Sequence, residues 1–247
     1  MGASEEELRR YHYANYRAVQ SALTHVERSA KQAIRRNDIP TTRSLMQTQM
    51  LLVAVKAEAR LMKLLFLPAG FSAEQRQQVL DADSVYDRWL EAVYMGYRSA
   101  FGIKPNADIK SWLLHDDAAR YDSLLRVLHE ELQPIILIRN KLAHGQWARP
   151  LKRDRSDVDE ASCRYVRSEN ALTLILRADA LEGISNIVGD LMQSKRLYQT
   201  RFNTHYKRVQ KLDRWMESGP TYADWAAGLQ DNYRRGQAKM LSTVRED

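Results

Sequence analysis

From Glu5 to Arg36 the apolar residues Leu8, Tyr11, Tyr16, Val19, Leu23, Val26, Ala30 and Ile34 recur close to the three- and four-residue intervals of an amphipathic helix. Asp38 to Pro40 break that pattern, and Thr41 or Thr42 can cap a second helix. Ser44 to Leu67 is apolar on most of its circumference, which suits a helix in the middle of a bundle. Pro68 and Gly70 end it, and Ser72 with Gln75 supplies a capping box for the next helical stretch. Ser84 to Phe101 forms a longer helix that stops at the Gly102–Pro105 turn, and Asp108 to Leu114 is a short helical piece.

Asp116 to Ala143 presents Leu124, Leu125, Leu128, Leu132, Ile135, Ile136 and Ile138 as an inward face. Pro134 lies inside this span and has no N–H to donate, so it should kink the helix or split it in two. Gly145 stands just past the end, where a left-handed residue closes helices. Beyond it the period changes. Arg149 to Glu160 is charged loop, while Cys163–Arg167 and Ala171–Leu176 read as the strands of a small β-hairpin, about 163–176, turning at Ser168-Glu169-Asn170. Asp179 then caps a last long helix to Met216.

Ser218-Gly219-Pro220 marks a boundary, and the tail keeps helical spacing at Tyr222, Trp225, Leu229 and Tyr233. The expectation is therefore an all-α antiparallel bundle over residues 5–216, with the β-hairpin inserted before the last long helix, and a docked helical tail over 217–247. Most glycines fall between helices; Gly96, Gly183 and Gly189 do not.

A chain of 247 residues can bury a sizeable core without covalent help. Cys163 is the single cysteine, which excludes an intramolecular disulfide and a Cys-based zinc site of the usual four-ligand kind. Met1 to Arg10 has no apolar leader pattern and no lipidation signal, and Lys56, Glu58, Arg60 and Lys63 interrupt the most hydrophobic stretch. The expectation is a cytoplasmic protein with no membrane partner. A net charge of +7 admits nucleic acid, anionic lipid or an acidic protein, and equally a solvated basic surface.

The chemistry sits in Ile135-Ile136-Leu137-Ile138-Arg139-Asn140-Lys141-Leu142-Ala143-His144-Gly145-Gln146-Trp147. Arginine, a short spacer and histidine would match by chance about once in a chain this rich in arginine, so spacing alone says little. The surrounding text resembles the HEPN superfamily, whose ribonuclease members carry an arginine, then a polar residue that is often asparagine, then a histidine four to six residues on. Arg139, Asn140 and His144 match that pattern near the end of a long helix. The resemblance implies a metal-independent endoribonuclease of toxin or defence-effector type, needing no cofactor. It also implies a homodimer whose two motifs meet in one composite cleft. Some HEPN toxins carry a tyrosine two residues after the histidine, a target for a nucleotidyltransferase antitoxin; Gln146 stands there instead.

Those residue types suit the reaction. Metal-free cleavage of RNA needs a group to take the ribose 2′ proton, a group to protonate the leaving 5′-oxygen, and fixed positive charge on the phosphorane. Imidazole and guanidinium supply these. Asn140 and His144 share a helix face, whereas Arg139 and His144 are five residues apart and point about 140° apart on an ideal helix. A long arginine side chain, an unwound helix end or a second copy of the helix can bring them together. Plainer roles exist too: His144 as a cation at the helix end, Asn140 on neighbouring backbone, Arg139 paired with a buried carboxylate.

Around the motif, Lys141, Arg149, Lys152, Arg153 and Arg155 can hold phosphates and Trp147 can stack on a base, or the segment is a solvated loop with Trp147 in the core. Glu58 is a carboxylate on an apolar helix and needs a partner; it can orient Arg139 or pair elsewhere. His25, His115, His129 and His205 show no metal-ligand spacing, so no metal site is assigned, and His12 reads as surface. The second functional reading is a non-catalytic helical module of the same superfamily that dimerises or binds RNA. An unrestrained ribonuclease damages its own cell, so an antitoxin or regulatory partner is expected.

Overall fold

A computed structural model describes residues 2–243, with side-chain surroundings through residue 238. Its helices are α1 (Glu5–Arg35), α2 (Ile39–Leu65), α3 (Ala73–Leu80), α4 (Val85–Phe101), α5 (His115–Val127), α6 (Gln133–Ala143), α7 (Glu160–Ser168), α8 (Ala171–Gln193), α9 (Lys195–Ser218) and α10 (Tyr222–Thr243). The chain is all-α, as expected.

Local chemistry accounts for most boundaries. Ser4 with Glu7 and Ser72 with Gln75 form complete capping boxes, and Ser84 accepts from the Asp87 N–H. α2 starts earlier than the apolar pattern suggests: Asp38, not Thr41 or Thr42, is the cap, accepting the Thr41 N–H at 3.1 Å. Pro40 sits in that first turn, where its missing N–H goes unused. Pro134 divides the expected long helix. Ahead of it Leu128–Leu132 forms a π turn, with the Gln133 N–H reaching back to Leu128, and α6 then starts with Pro134 in its first turn.

The expected β-hairpin is absent. Among the described residues the β pairing is an isolated antiparallel bridge, Leu151 to Val158, inside the charged loop. Cys163–Arg167 lies in α7, capped by Asp159, and Ala171–Leu176 opens α8, capped by Asn170 in a box with Thr173. Tyr165-Val166 and Leu172–Leu176 favour strands locally, but here they pack under α6 and against α2, and tertiary context overrides a weak propensity. The expected last helix from Asp179 to Met216 is two helices. Asp179 lies inside α8 and pairs with Arg208 at 3.3 Å, and the break falls at Ser194, which accepts the Leu197 N–H.

Contacts give the directions. Tyr16 meets Arg60 across the α1–α2 turn, and Asp190 and Asp179 meet Arg201 and Arg208 across Ser194, so both pairs run antiparallel. Glu58 meets Arg139 while Gln47 meets Trp147, which sets α6 antiparallel to α2. One large core joins α2, α4, α5, α6, α8 and α9, and a small satellite of Met50, Ile138, Leu142 and Leu174 lies beneath α6. α10 lies on α1, with Gln230 donating to the Ile34 carbonyl at 3.2 Å; the last four residues of the expected tail fall outside the described part. No helix among the described residues is long and apolar enough to cross a membrane.

Gly96 of α4 and Gly183 and Gly189 of α8 mark close helix approaches. A Cβ at Gly183 would stand 2.7 Å from the His205 carbonyl oxygen of α9, whereas one at Gly228 of α10 would meet nothing within 4 Å. Glu182 joins three helices, facing Lys56 and Arg60 of α2 at 3.3 Å each and accepting from the Tyr16 hydroxyl of α1 at 3.0 Å. Burial pushes its pKa up, but the cations of Arg60 and Lys56 and the tyrosine outweigh this and hold it below the usual carboxylate value.

Two outcomes are expected. Gly183→Ala costs about 1–3 kcal/mol in denaturant unfolding because backbone must move, while Gly228→Ala is neutral or stabilising by up to about 1 kcal/mol. A carboxylate with a lowered folded-state pKa contributes stability above its unfolded value, about 4.3, and that contribution is lost as pH falls through the folded value. Glu182→Gln should therefore cost on the order of 2–3 kcal/mol at neutral pH and lose part of the wild-type decline in stability on acidification below about pH 5.

Candidate active site at the end of helix α6

α6 is anchored by Ile135, Ile138 and Leu142, which are buried at the three- and four-residue spacing that points one stripe inward. That fixes where its other side chains go. Leu137, Asn140 and His144 share the opposite, exposed face, with Leu137 56% exposed. Arg139 turns sideways toward α2.

Arg139 is held at both ends of its fork: Nη2 donates to Glu58 Oε2 and Nη1 to Asn140 Oδ1 at 3.2 Å. The sequence-based expectation that Glu58 orients Arg139 thus has its contact. The pair is only partly shielded, so it positions the guanidinium more than it stabilises the fold. Among the described residues no hydrogen bond or ion pair joins Arg139 to His144, and the His144 ring has no side-chain or backbone partner.

The helix end is built to stop at His144. His144 caps α6, Gly145 follows at φ +78°, its N–H donates to Leu142 and the Gln146 N–H donates to Lys141. This is a Schellman closure, and it satisfies carbonyls that would otherwise be left open. Gln146, in the position where some HEPN toxins have tyrosine, uses Oε1 to accept the Leu151 N–H at 2.7 Å. It ties the helix end to the loop beyond.

The flanking cations divide. Lys141 donates to the Leu151 carbonyl and pairs with Asp159 at 3.5 Å, so its charge is engaged in holding the loop. Lys152 pairs with Asp157 at 3.1 Å. Arg149, Arg153 and Arg155 are exposed and have no ion-pair partner among the described residues. Arg155 adopts φ +58° at the tip of the turn closed by its own N–H on the Lys152 carbonyl. Trp147 is 36% exposed, and its carbonyl accepts from Gln47 of α2 at 2.8 Å. Leu137 and Gln146 lie within the motif text, but nothing in it points to Gln47, because that contact exists only through space.

Elsewhere, Arg177 is buried between Glu131 of the π turn and Glu169, whose pKa burial raises to about 7. This braces the start of α6 against α8. His205 pairs with Asp190 at 3.2 Å, and His12, expected at the surface, is half-buried against Phe66 with its pKa pushed down by burial. Among the described residues no group of three or more His, Cys, Asp or Glu side chains is placed to hold a metal ion. No family model, no curated protein and no solved structure matches the chain.

Because Gly145 alone supplies the left-handed residue of the closure, Gly145→Ala is expected to cost about 1 kcal/mol in thermal or denaturant unfolding. Hydrogen exchange should speed up at the Gly145 and Gln146 amides, and unchanged protection there would mean that the closure does not hold the helix end.

Proposed function

We propose that this protein is a metal-independent endoribonuclease of HEPN toxin or defence-effector type, acting as a homodimer on RNA. The observation that carries the reading is the division of labour on α6: Arg139 is oriented by Glu58 and Asn140, while His144 stands free on the exposed face.

In the reaction, neutral His144 of one copy takes the 2′ proton as the 2′-oxygen attacks phosphorus. The protonated His144 of the second copy then gives its proton to the departing 5′-oxygen. Arg139 places charge on the non-bridging oxygens, and the products are a 2′,3′-cyclic phosphate and a 5′-hydroxyl. A second copy is needed because Arg139 and His144 leave the helix in different directions. The same face offers a surface for it: Leu137 on α6 is exposed, and Val55, Ala59 and Met62 form a half-buried apolar stripe on the neighbouring α2. Arg149, Arg153 and Arg155 extend positive charge from the cleft, where phosphates of the RNA would lie.

One observation favours the non-catalytic reading, a module that dimerises or binds RNA without cutting it. Arg139 and Lys141 already have protein partners, as structural cations do.

A single experiment separates the two. Purified protein with RNA in EDTA should yield cyclic-phosphate ends, with the rate reduced about 100-fold or more by His144→Ala and by Arg139→Ala. Mixing the two inactive variants should restore no activity, because a mixed dimer keeps only one of the two histidines that the reaction uses. Cleavage that survives both substitutions, or that requires added metal, sinks the proposal; RNA binding with no products supports the module.

A further inference from the structure

On the side of α2 away from the Arg139–Glu58 pair, Arg9, Arg10 and Tyr13 of α1 and Lys63 of α2 meet the Phe66-Leu67-Pro68 turn around a groove of about 420 Å³. The α1 residues share one face, because positions 9 and 10 each lie about one helical turn before 13, and Arg17 continues that face by another. Tyr13 is 50% exposed, and the Lys63 ammonium lies 5.0 Å from its ring centre and 4.7 Å from that of Tyr16.

The cations here are short of counter-charge. Arg9 reaches Glu6, but among the described residues no carboxylate pairs with Arg10, Arg17 or Lys63. Glu182, the acid that acts on Lys63, is held by Lys56 and Arg60 instead. Burial and the nearby charges of Arg60 and Arg17 hold the Lys63 pKa below its ordinary value despite Glu182. An ammonium in that situation gains from any anion placed beside it.

The wall opposite the cations is apolar, and the groove lies within the size range of small-ligand sites. An anion joined to a flat ring fits both halves. A second depression beyond the Phe66-Leu67-Pro68 turn carries the carboxylates of Glu5 and Glu6 and disfavours an anion there, which leaves the Arg10–Lys63 side as the place for the charge.

We infer that this groove binds a nucleotide unit, its phosphate on Lys63 and Arg10 and its base against Tyr13 and the apolar wall. The unit comes either from a free mononucleotide or from a single-stranded RNA. The inference does not depend on the chain cutting RNA.

The test uses the full chain carrying His144→Ala, so that no cleavage confuses binding. AMP is titrated by calorimetry and a short fluorescent single-stranded oligoribonucleotide by anisotropy. Binding of AMP identifies a nucleotide pocket, and binding of the oligoribonucleotide alone identifies a contact along an RNA. In either case Lys63→Met and Tyr13→Leu should each weaken binding about tenfold, and affinity should fall with added salt. Arg10→Gln, at an exposed position, should weaken it several-fold and carries the test if Lys63→Met disturbs folding. Affinity unchanged in all three variants, or no binding of either ligand, overturns the inference. Binding that depends on these residues in a protein that never cuts RNA removes the ribonuclease proposal and leaves the groove standing; cleavage with no dependence on them does the reverse.

Discussion

The setting on which the other surfaces depend is the rotation of α2 about its own axis, and Glu182 fixes it. α2 is apolar on most sides, with Met50, Val53, Ala57, Leu61 and Leu64 as its buried stripe, and its charged residues complete the setting of its rotation. Lys56 and Arg60 are one turn apart on a single face, and both reach the same carboxylate on α8, with Tyr16 of α1 as a third ligand. Breaking that cluster would leave an uncompensated charge between three helices. With the face carrying Lys56 and Arg60 locked, helical geometry sends Glu58 toward α6 and Lys63 toward α1. The two candidate sites lie on opposite flanks of α2, and one buried ion cluster sets both.

α6 is fixed by different means. Its front is braced through Glu131 in the π turn, its inward stripe sits on the satellite core, and its end is closed by Gly145 and Gln146. A helix of this length has little stability of its own. Held at both ends, it presents Asn140 and His144 outward with small freedom of rotation, which pre-organises a site more than loop residues could.

Much of this fold is legible in the sequence because some residues permit few alternatives. Pro134 cannot donate, Gly145 can take a left-handed conformation at little cost, Ser72 and Gln75 satisfy each other's backbone, and a carboxylate on an apolar helix has to find a cation. Each of these names a boundary or a contact that the fold contains. The segment 163–176 reads wrongly as strands because Tyr165, Val166 and Leu172–Leu176 have side chains that suit a strand, while the decisive features, Asp159 and Asn170 as caps, resemble ordinary loop residues. Ser194 is hidden for the same reason: a single serine in extended conformation separates two helices with no glycine or proline to announce it. Gln47, Lys63 and Tyr13 cannot be grouped with their partners from sequence at all, since they meet only once α1, α2 and α6 are assembled.

The geometry of the motif also bears on why the proposed reaction calls for a second copy. Closing the five-residue gap within one chain would mean unwinding the end of α6, and that would break the bonds from Gly145 and Gln146 and release the loop that Gln146 and Lys141 hold. It would also pull Arg139 from Glu58, removing the contact that orients the guanidinium. The proposed symmetric pairing through the Leu137 face would keep every one of these interactions and would bring two histidines together, one to accept a proton and one to give it. The features that make α6 rigid therefore make a single-chain site costly and a two-chain site the less strained solution.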